Sequence, residues 1–150
     1  KISCSGYFKS DTMNWQQEQI ILPKYSRGFH VITDIIENKF TVLPNIGIMH
    51  IFIQHTSASL TINENTDTSV RNDFESHMNQ MVPENASYYE HVIEGEDDMP
   101  AHLKNSILGS SVTIPIKNHR LYLGTWQGLY LCEHRNNGGQ RKLVVTINGN

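Results

Sequence analysis

Between Leu121 and Arg135 the chain reads LYLGTWQGLYLCEHR. An apolar run of this length bounded by glycine reads as a buried strand. Leu129, Tyr130, Leu131 and Cys132 run without a break into Glu133, His134 and Arg135. Charge is costly to bury unless it is paired or bound to something, so the residues around this strand must answer a carboxylate, an imidazole and a guanidinium. Trp126 and Gln127 enter the strand with a flat apolar face and a two-way hydrogen-bonding amide. That combination suits a ligand pocket better than a plain core.

The 150 residues suffice for one domain that buries roughly 70% of its unfolded surface. An apolar fraction of 38% and a charged fraction of 18% exclude a disordered chain. A net charge of −3 argues against nucleic acid or an anionic membrane as the main partner. No apolar run approaches the roughly 20 residues needed to span a bilayer, and no signal-peptide pattern opens the chain. The first residue is Lys1 rather than Met, which leaves room for a segment upstream. Cys4 and Cys132 are too few for a disulfide framework and point to the reducing cytoplasm. The sequon Asn85-Ala86-Ser87 is then read as chance.

Taken in order, Met13 to Leu22 reads as a first strand stopped by Pro23, and Gly28 as a turn. Thr33 is placed to cap a short helix whose one face carries Ile32, Ile35, Ile36, Phe40 and Leu43, with Pro44 and Gly47 ending it. Ile48 to Gln54 reads as a strand that runs into the small-residue segment His55-Thr56-Ser57-Ala58-Ser59, and Leu60 to Ile62 as its short continuation. Asp67 to Met81 has helical spacing, with Val70, Phe74, Met78 and Met81 on one stripe and Thr66 as N-cap. His77 joins that stripe as a packed helix histidine. A third helix starts at Pro100, turns Leu103, Ile107 and Leu108 inward and closes at Gly109. Ser111–Ile116, Leu121–Leu123, Gln127–His134 and Lys142–Ile147 complete the chain as closely spaced strands, which favours antiparallel pairing. The expectation is a single α+β domain with a mostly antiparallel sheet, no repeat and no linker.

Chemistry gathers in three places. Ile51, Ile53 and His55 share one face of their strand, so His55 stands half-buried at the mouth of the core, as a ligand or as a core histidine bonded to backbone. Pro83 to Ala101 carries Glu84, Glu90, Glu94, Glu96, Asp97 and Asp98 with no Lys or Arg, and it also holds His91. His102 falls in the first helical turn, where the helix dipole disfavours imidazolium and keeps the ring in the form a metal requires. A solvated acidic loop with ordinary capping would explain the charges alone. The two histidines tilt the reading toward a three-histidine site of His55, His91 and His102, with Asp98 beside it, for zinc or a similar divalent metal. Glu133 and Arg141 form the third place: an acid–base and phosphate-clamping pair, or an internal salt bridge between strands. Ser57, Ser59 and Ser111 offer hydroxyls to an anion. There is no P-loop, nucleotide fingerprint or G-x-S-x-G elbow, and His30, His50 and His119 read as structural or surface residues.

His55-Thr56-Ser57-Ala58-Ser59, Asn63-Glu64, Asp97-Asp98, Ala101-His102, Ser111 to Ile116 and Gly124-Thr125-Trp126-Gln127, in this order, resemble the YjbQ family, whose members are labelled secondary thiamine-phosphate synthase. The likeness runs from about Ile20 to Ile147. It implies an α+β fold on a mixed, barrel-like or sandwiched sheet, and a homotrimer with pockets near the subunit interfaces. It also implies a weak transferase activity that joins a pyrimidine diphosphate to a thiazole phosphate with loss of diphosphate. The family's recurring polar positions fall here on His55, Glu64, Asp67, His91, Asp98, His102, Trp126, Gln127, Glu133 and Arg141. In that scheme Glu64, Asp67 and Glu133 are catalytic, while Ser57, Ser59, Ser111, Trp126, Gln127 and Arg141 hold the substrate. Two departures stand out: His119 occupies a position where the family has glycine, and Asn136 to Gln140 replaces a shorter Asp-Gly-Pro turn.

Three functions fit these residues. The first is a transferase in which a divalent metal (zinc or magnesium) neutralises a small phosphorylated metabolite. The second is a trimeric protein that binds such a metabolite or a metal without turnover. The third is a metal-dependent hydrolase in which Glu133 activates water.

Overall fold

The computed structural model describes residues 14–150; Cys4, and Met13 at the expected start of the first strand, lie outside the described residues. The chain order is β1 (Asn14–Ile21), β2 (Gly28–Val31), α1 (Thr33–Lys39), β3 (Ile46–Ile53), β4 (Ala58–Glu64), α2 (Thr68–Met81), α3 (Asp98–Leu108), β5 (Ser111–Lys117), β6 (Arg120–Leu121), β7 (Gln127–Glu133) and β8 (Lys142–Gly149). Two sheets form, one of five strands in the order β1-β8-β3-β5-β6 and one of three in the order β2-β7-β4. Every pairing among the described residues is antiparallel. The α+β class expected from the sequence is the class observed.

Strand β7 is the middle of the smaller sheet and is covered on both faces, which is why it reads as an unbroken apolar run. Successive side chains of a strand point to opposite faces. Leu129 and Leu131 enter the main core with Met49, Ile51 and Ile53 of β3 and Leu143 and Val145 of β8. Tyr130 and Cys132 point the other way and pack with Phe29, Met78 and Phe74 under α2. The molecule is thus three layers deep: large sheet, small sheet, helices. Continuing the alternation, Glu133 falls on the side of the large sheet and His134 on the side of the helices, where its Nε2 lies 2.6 Å from Ser59 Oγ.

Several local expectations change in the fold. Gly28, read as a turn, opens β2 with φ +135°. Thr33 lies inside α1 and does not cap it; its hydroxyl accepts the Leu129 N–H at 2.9 Å and ties α1 to β7. The N-cap of α2 is Asp67 rather than Thr66, and its carboxylate accepts the Ser69 N–H at 2.8 Å. His77 is exposed, not packed. Helix α3 begins at Asp98 and buries Asp98, Pro100, Ala101 and Lys104, whereas Ile107 faces outward. The β5–β6 hairpin turns on Asn118 and His119, both in the left-handed region at φ 52° and 62°. A primed two-residue turn demands that backbone, and it explains why glycine suits the position that His119 fills here.

Two outcomes follow. Leu131→Ala should cost about 2–5 kcal/mol in urea unfolding, because the site is closed on both sides and cannot collapse. Burial first, then the charges of Lys104, Arg141 and Arg27, push the His134 pKa down to about 3. The unfolded imidazole takes a proton near pH 6.5 while the folded one does not. Stability should therefore be full above about 6.5 and fall as pH drops toward 3, and His134→Gln should flatten that dependence in unfolding midpoints measured across the range.

Candidate metal centre

The acidic segment leads into α3, and the helix fixes the geometry. Asp98 and His102 are one turn apart on α3, and His91 and Glu94 come from the loop before it. One ligand atom from each of the four lies within 4.8 Å of all the others. His91 Nε2 sits 2.7 Å from Asp98 Oδ2 and 3.3 Å from Glu94 Oε2, and His102 Nε2 sits 3.3 Å from Asp98 Oδ2. The two imidazole rings are 5.4 Å apart. His102 Nδ1 is 3.0 Å from the Thr56 carbonyl, which can only accept, so Nδ1 carries a proton and the Nε2 edge of the ring faces the cluster. A backbone carbonyl behind the far ring nitrogen is the usual support of a ligating histidine.

Asp98 is nearly fully buried, and its second oxygen accepts from Arg135 Nη1. Burial works against its charge, but the hydrogen bonds of His91 and Glu94 and the charges of Arg135 and His102 outweigh it and hold the carboxyl below its usual range. The neighbouring Asp97 is also held low: burial opposes its charge, and the Asn136 N–H at 2.7 Å and Arg135 Nε at 3.1 Å prevail. A cavity of about 250 Å³ bounded by Tyr89, His91, Val92, Gly95 and Met99 opens beside the cluster. A larger one, about 520 Å³, lies at Arg27, whose guanidinium is already engaged by Glu75, Asn79 and Glu84.

The other sequence candidates lie elsewhere. His55 does not join His91 and His102 in the cluster: its Nε2 accepts the Lys142 N–H at 2.9 Å, and Arg141 Nη1 lies 3.3 Å from its Nδ1. Desolvation, then the charge of Arg141, pushes its pKa down. Glu133 and Arg141 form the internal salt bridge rather than a free clamp, with Nε to Oε2 at 2.7 Å and Nη2 to Oε1 at 2.5 Å. Arg141 spends its remaining reach on Ser57, and Ser59 is sealed against His134. Gly138 roofs the ion pair; a Cβ there would lie 2.5 Å from both Glu133 oxygens and from Arg141 Nη2.

Glu64, Asp67, Trp126 and Gln127 stand at the far end of the same strands. Glu64 pairs with Gln127 and Ala58 with Glu133, so six residues, about 20 Å, separate the two groups within one chain. There Glu64 accepts the Asp67 N–H at 2.9 Å, Gln127 Oε1 accepts the Gly124 N–H at 2.8 Å, and Trp126 is exposed. Ser111 points outward from β5. Glu94 and Arg135 are the site residues that the sequence reading did not assign. The signal for Arg135 was present: an acidic run with no Lys or Arg must find its cation elsewhere, and the basic end of a buried strand is a natural source.

The chain matches the UPF0047 protein YjbQ-like family over residues 18–150. A UPF0047 protein YjbQ of Salmonella typhimurium is 52% identical over 137 residues, covering 90% of this chain and 99% of the relative. A UPF0047 protein of Synechocystis is 48% identical, covering 92% and 95%. Among solved structures, a YbjQ-like protein of unknown function from Sulfolobus solfataricus superposes with a TM-score of 0.80 at 25% identity, covering 92% of this chain and 99% of that one. An uncharacterised YjbQ/UPF0047 protein from Clostridium acetobutylicum gives 0.75 at 35% identity, covering 87% and 98%. With a family match spanning most of its length and relatives near half identity, this chain belongs to the YjbQ-like UPF0047 family.

Proposed function

We propose that this chain is a metal-dependent enzyme acting on a small phosphorylated metabolite, with His91, Glu94, Asp98 and His102 as the cation's ligands. The observation that carries the reading is the convergence of two imidazole nitrogens and two carboxylates within 4.8 Å, one imidazole aimed by a backbone carbonyl. Two imidazoles and two carboxylates gathered this closely offer a mixed nitrogen and oxygen donor set, which suits zinc. A cation held there would neutralise charge developing on a departing diphosphate, the chemistry that joining a pyrimidine diphosphate to a thiazole phosphate requires. The chain's own part is to aim the donors and leave an open cavity at His91 for the anion. The buried free thiol of Cys132 fits a reducing cytoplasm.

A second reading, a protein that binds metal and metabolite without turnover, is favoured by one observation. Glu133, the expected acid or base, is fully buried and doubly bonded to Arg141, so it is not free to transfer a proton. The same observation counts against a hydrolase that activates water with Glu133.

A homotrimer finds support in the outer face of the large sheet, where Ile46, Ile48 and Phe52 of β3 and Trp15 and Ile21 of β1 are exposed opposite a buried row. It would also give the residues at the two ends of β7 a way to meet across chains.

His102→Ala should abolish zinc binding in isothermal titration and turnover of the paired phosphates; full activity in a metal-free His102→Ala protein would rule the enzyme reading out. Tight metabolite binding with no product would favour the binding protein. Arg141→Ala should destabilise the fold by about 3–5 kcal/mol in thermal or urea unfolding, since it strands a buried carboxylate. Ile48→Glu combined with Phe52→Glu should convert a species of three chains' mass into monomer in sedimentation, and a parent that is already monomeric would sink the trimer.

A further inference from the structure

We propose that Arg135 determines which cation the His91–Glu94–Asp98–His102 cluster accepts, an inference that rests on the metal reading above. Asp98 has two oxygens and the structure divides them. One accepts from Arg135 Nη1, and the other lies 2.7 Å from His91 Nε2 and 3.3 Å from His102 Nε2. Arg135 is itself fixed on two further sides, through Nε to Asp97 at 3.1 Å and Nη2 to the Glu94 carbonyl at 2.8 Å. Asp97 is in turn held by the Asn136 N–H at 2.7 Å. A planar guanidinium can serve three such acceptors in one fixed arrangement; a lysine ammonium cannot.

Two consequences follow for an ion. Asp98 can lend it only one oxygen, so bidentate carboxylate coordination at this residue is blocked. The guanidinium also offsets one of the two carboxylate charges in the donor set. Calcium takes six to eight oxygens and favours bidentate carboxylates, and magnesium wants a near-ideal octahedron of oxygen. Zinc accepts a small set of imidazole nitrogens and single carboxylate oxygens. Arg135 thus removes what hard cations need and leaves what zinc needs. It acts through Asp98 and is a positioning residue.

The test is titration of zinc, magnesium and calcium, each alone, into the full chain and into Arg135→Gln, with circular dichroism to check the fold. The parent should bind zinc most tightly. Arg135→Gln frees the second Asp98 oxygen and restores a negative charge, so the zinc-over-calcium ratio of association constants should fall at least about tenfold. A ratio unchanged within about twofold, with all ions weakened alike, would mean that Arg135 only braces the loop and would overturn the inference. So would an unmodified protein that binds calcium or magnesium as tightly as zinc, a result that does not depend on the variant folding. A parent that binds none of the three ions would instead defeat the metal reading itself and take this inference with it.

Discussion

The coverage of β7 on both faces is the constraint from which the rest descends. A strand flanked by a second sheet on one side and helices on the other can carry apolar residues throughout, and this one does from Gly128 to Cys132. Where the apolar run stops, alternation sends Glu133 to one layer and His134 to the other, and Arg135 emerges at the rim. Each then needs a different answer. Glu133 takes Arg141 in a two-point ion pair, His134 takes the Ser59 hydroxyl, and Arg135 takes the carboxylates that open α3. One strand end therefore organises a buried salt bridge, a neutral histidine and the electrostatics of the candidate metal centre.

The helix α3 completes that arrangement from the opposite direction. Its first residue is a nearly fully buried aspartate, an expensive choice made tolerable by Arg135 on one oxygen and imidazoles at the other. The same helix buries Lys104, whose ammonium donates to Asn79 Oδ1 at 2.6 Å and whose pKa is pushed down, chiefly by burial. A helix that packs polar groups inward and leaves Ile107 outward is arranged around its site more than around its core.

Much of this was legible before any coordinates. Period-two alternation and glycine punctuation placed β3, β5, β7 and β8 within a residue or two, and the pairing of His91, Asp98 and His102 followed from an acidic run interrupted by imidazoles. What could not be read were matters of direction. His55 shares the expected face of β3, yet the chain passes just beyond the strand and turns its ring to the Lys142 backbone. Glu133 and Arg141 were equally consistent with a clamp or a salt bridge, and only burial decides between them. Apolar spacing placed Leu108 on the core as observed but missed that Ile107 is exposed and Lys104 buried, because a leucine and an isoleucine outvote a lysine on any hydrophobic scale. Glu64, Asp67, Trp126 and Gln127, which the resemblance groups with Glu133 and Arg141 as recurring polar positions, sit a strand's length from them within one chain, since recurrence along a chain carries no information about which end of a ladder a residue occupies.

The roof over the Glu133–Arg141 pair has a consequence of its own. At Gly138 the backbone rests so near the two charged groups that a single methyl would collide with them. At Gly138 the connection between β7 and β8 therefore covers the pair with bare main chain, by proximity and not by bulk. Any side chain at that one position must push the main chain away from the pair and let water reach the charges beneath.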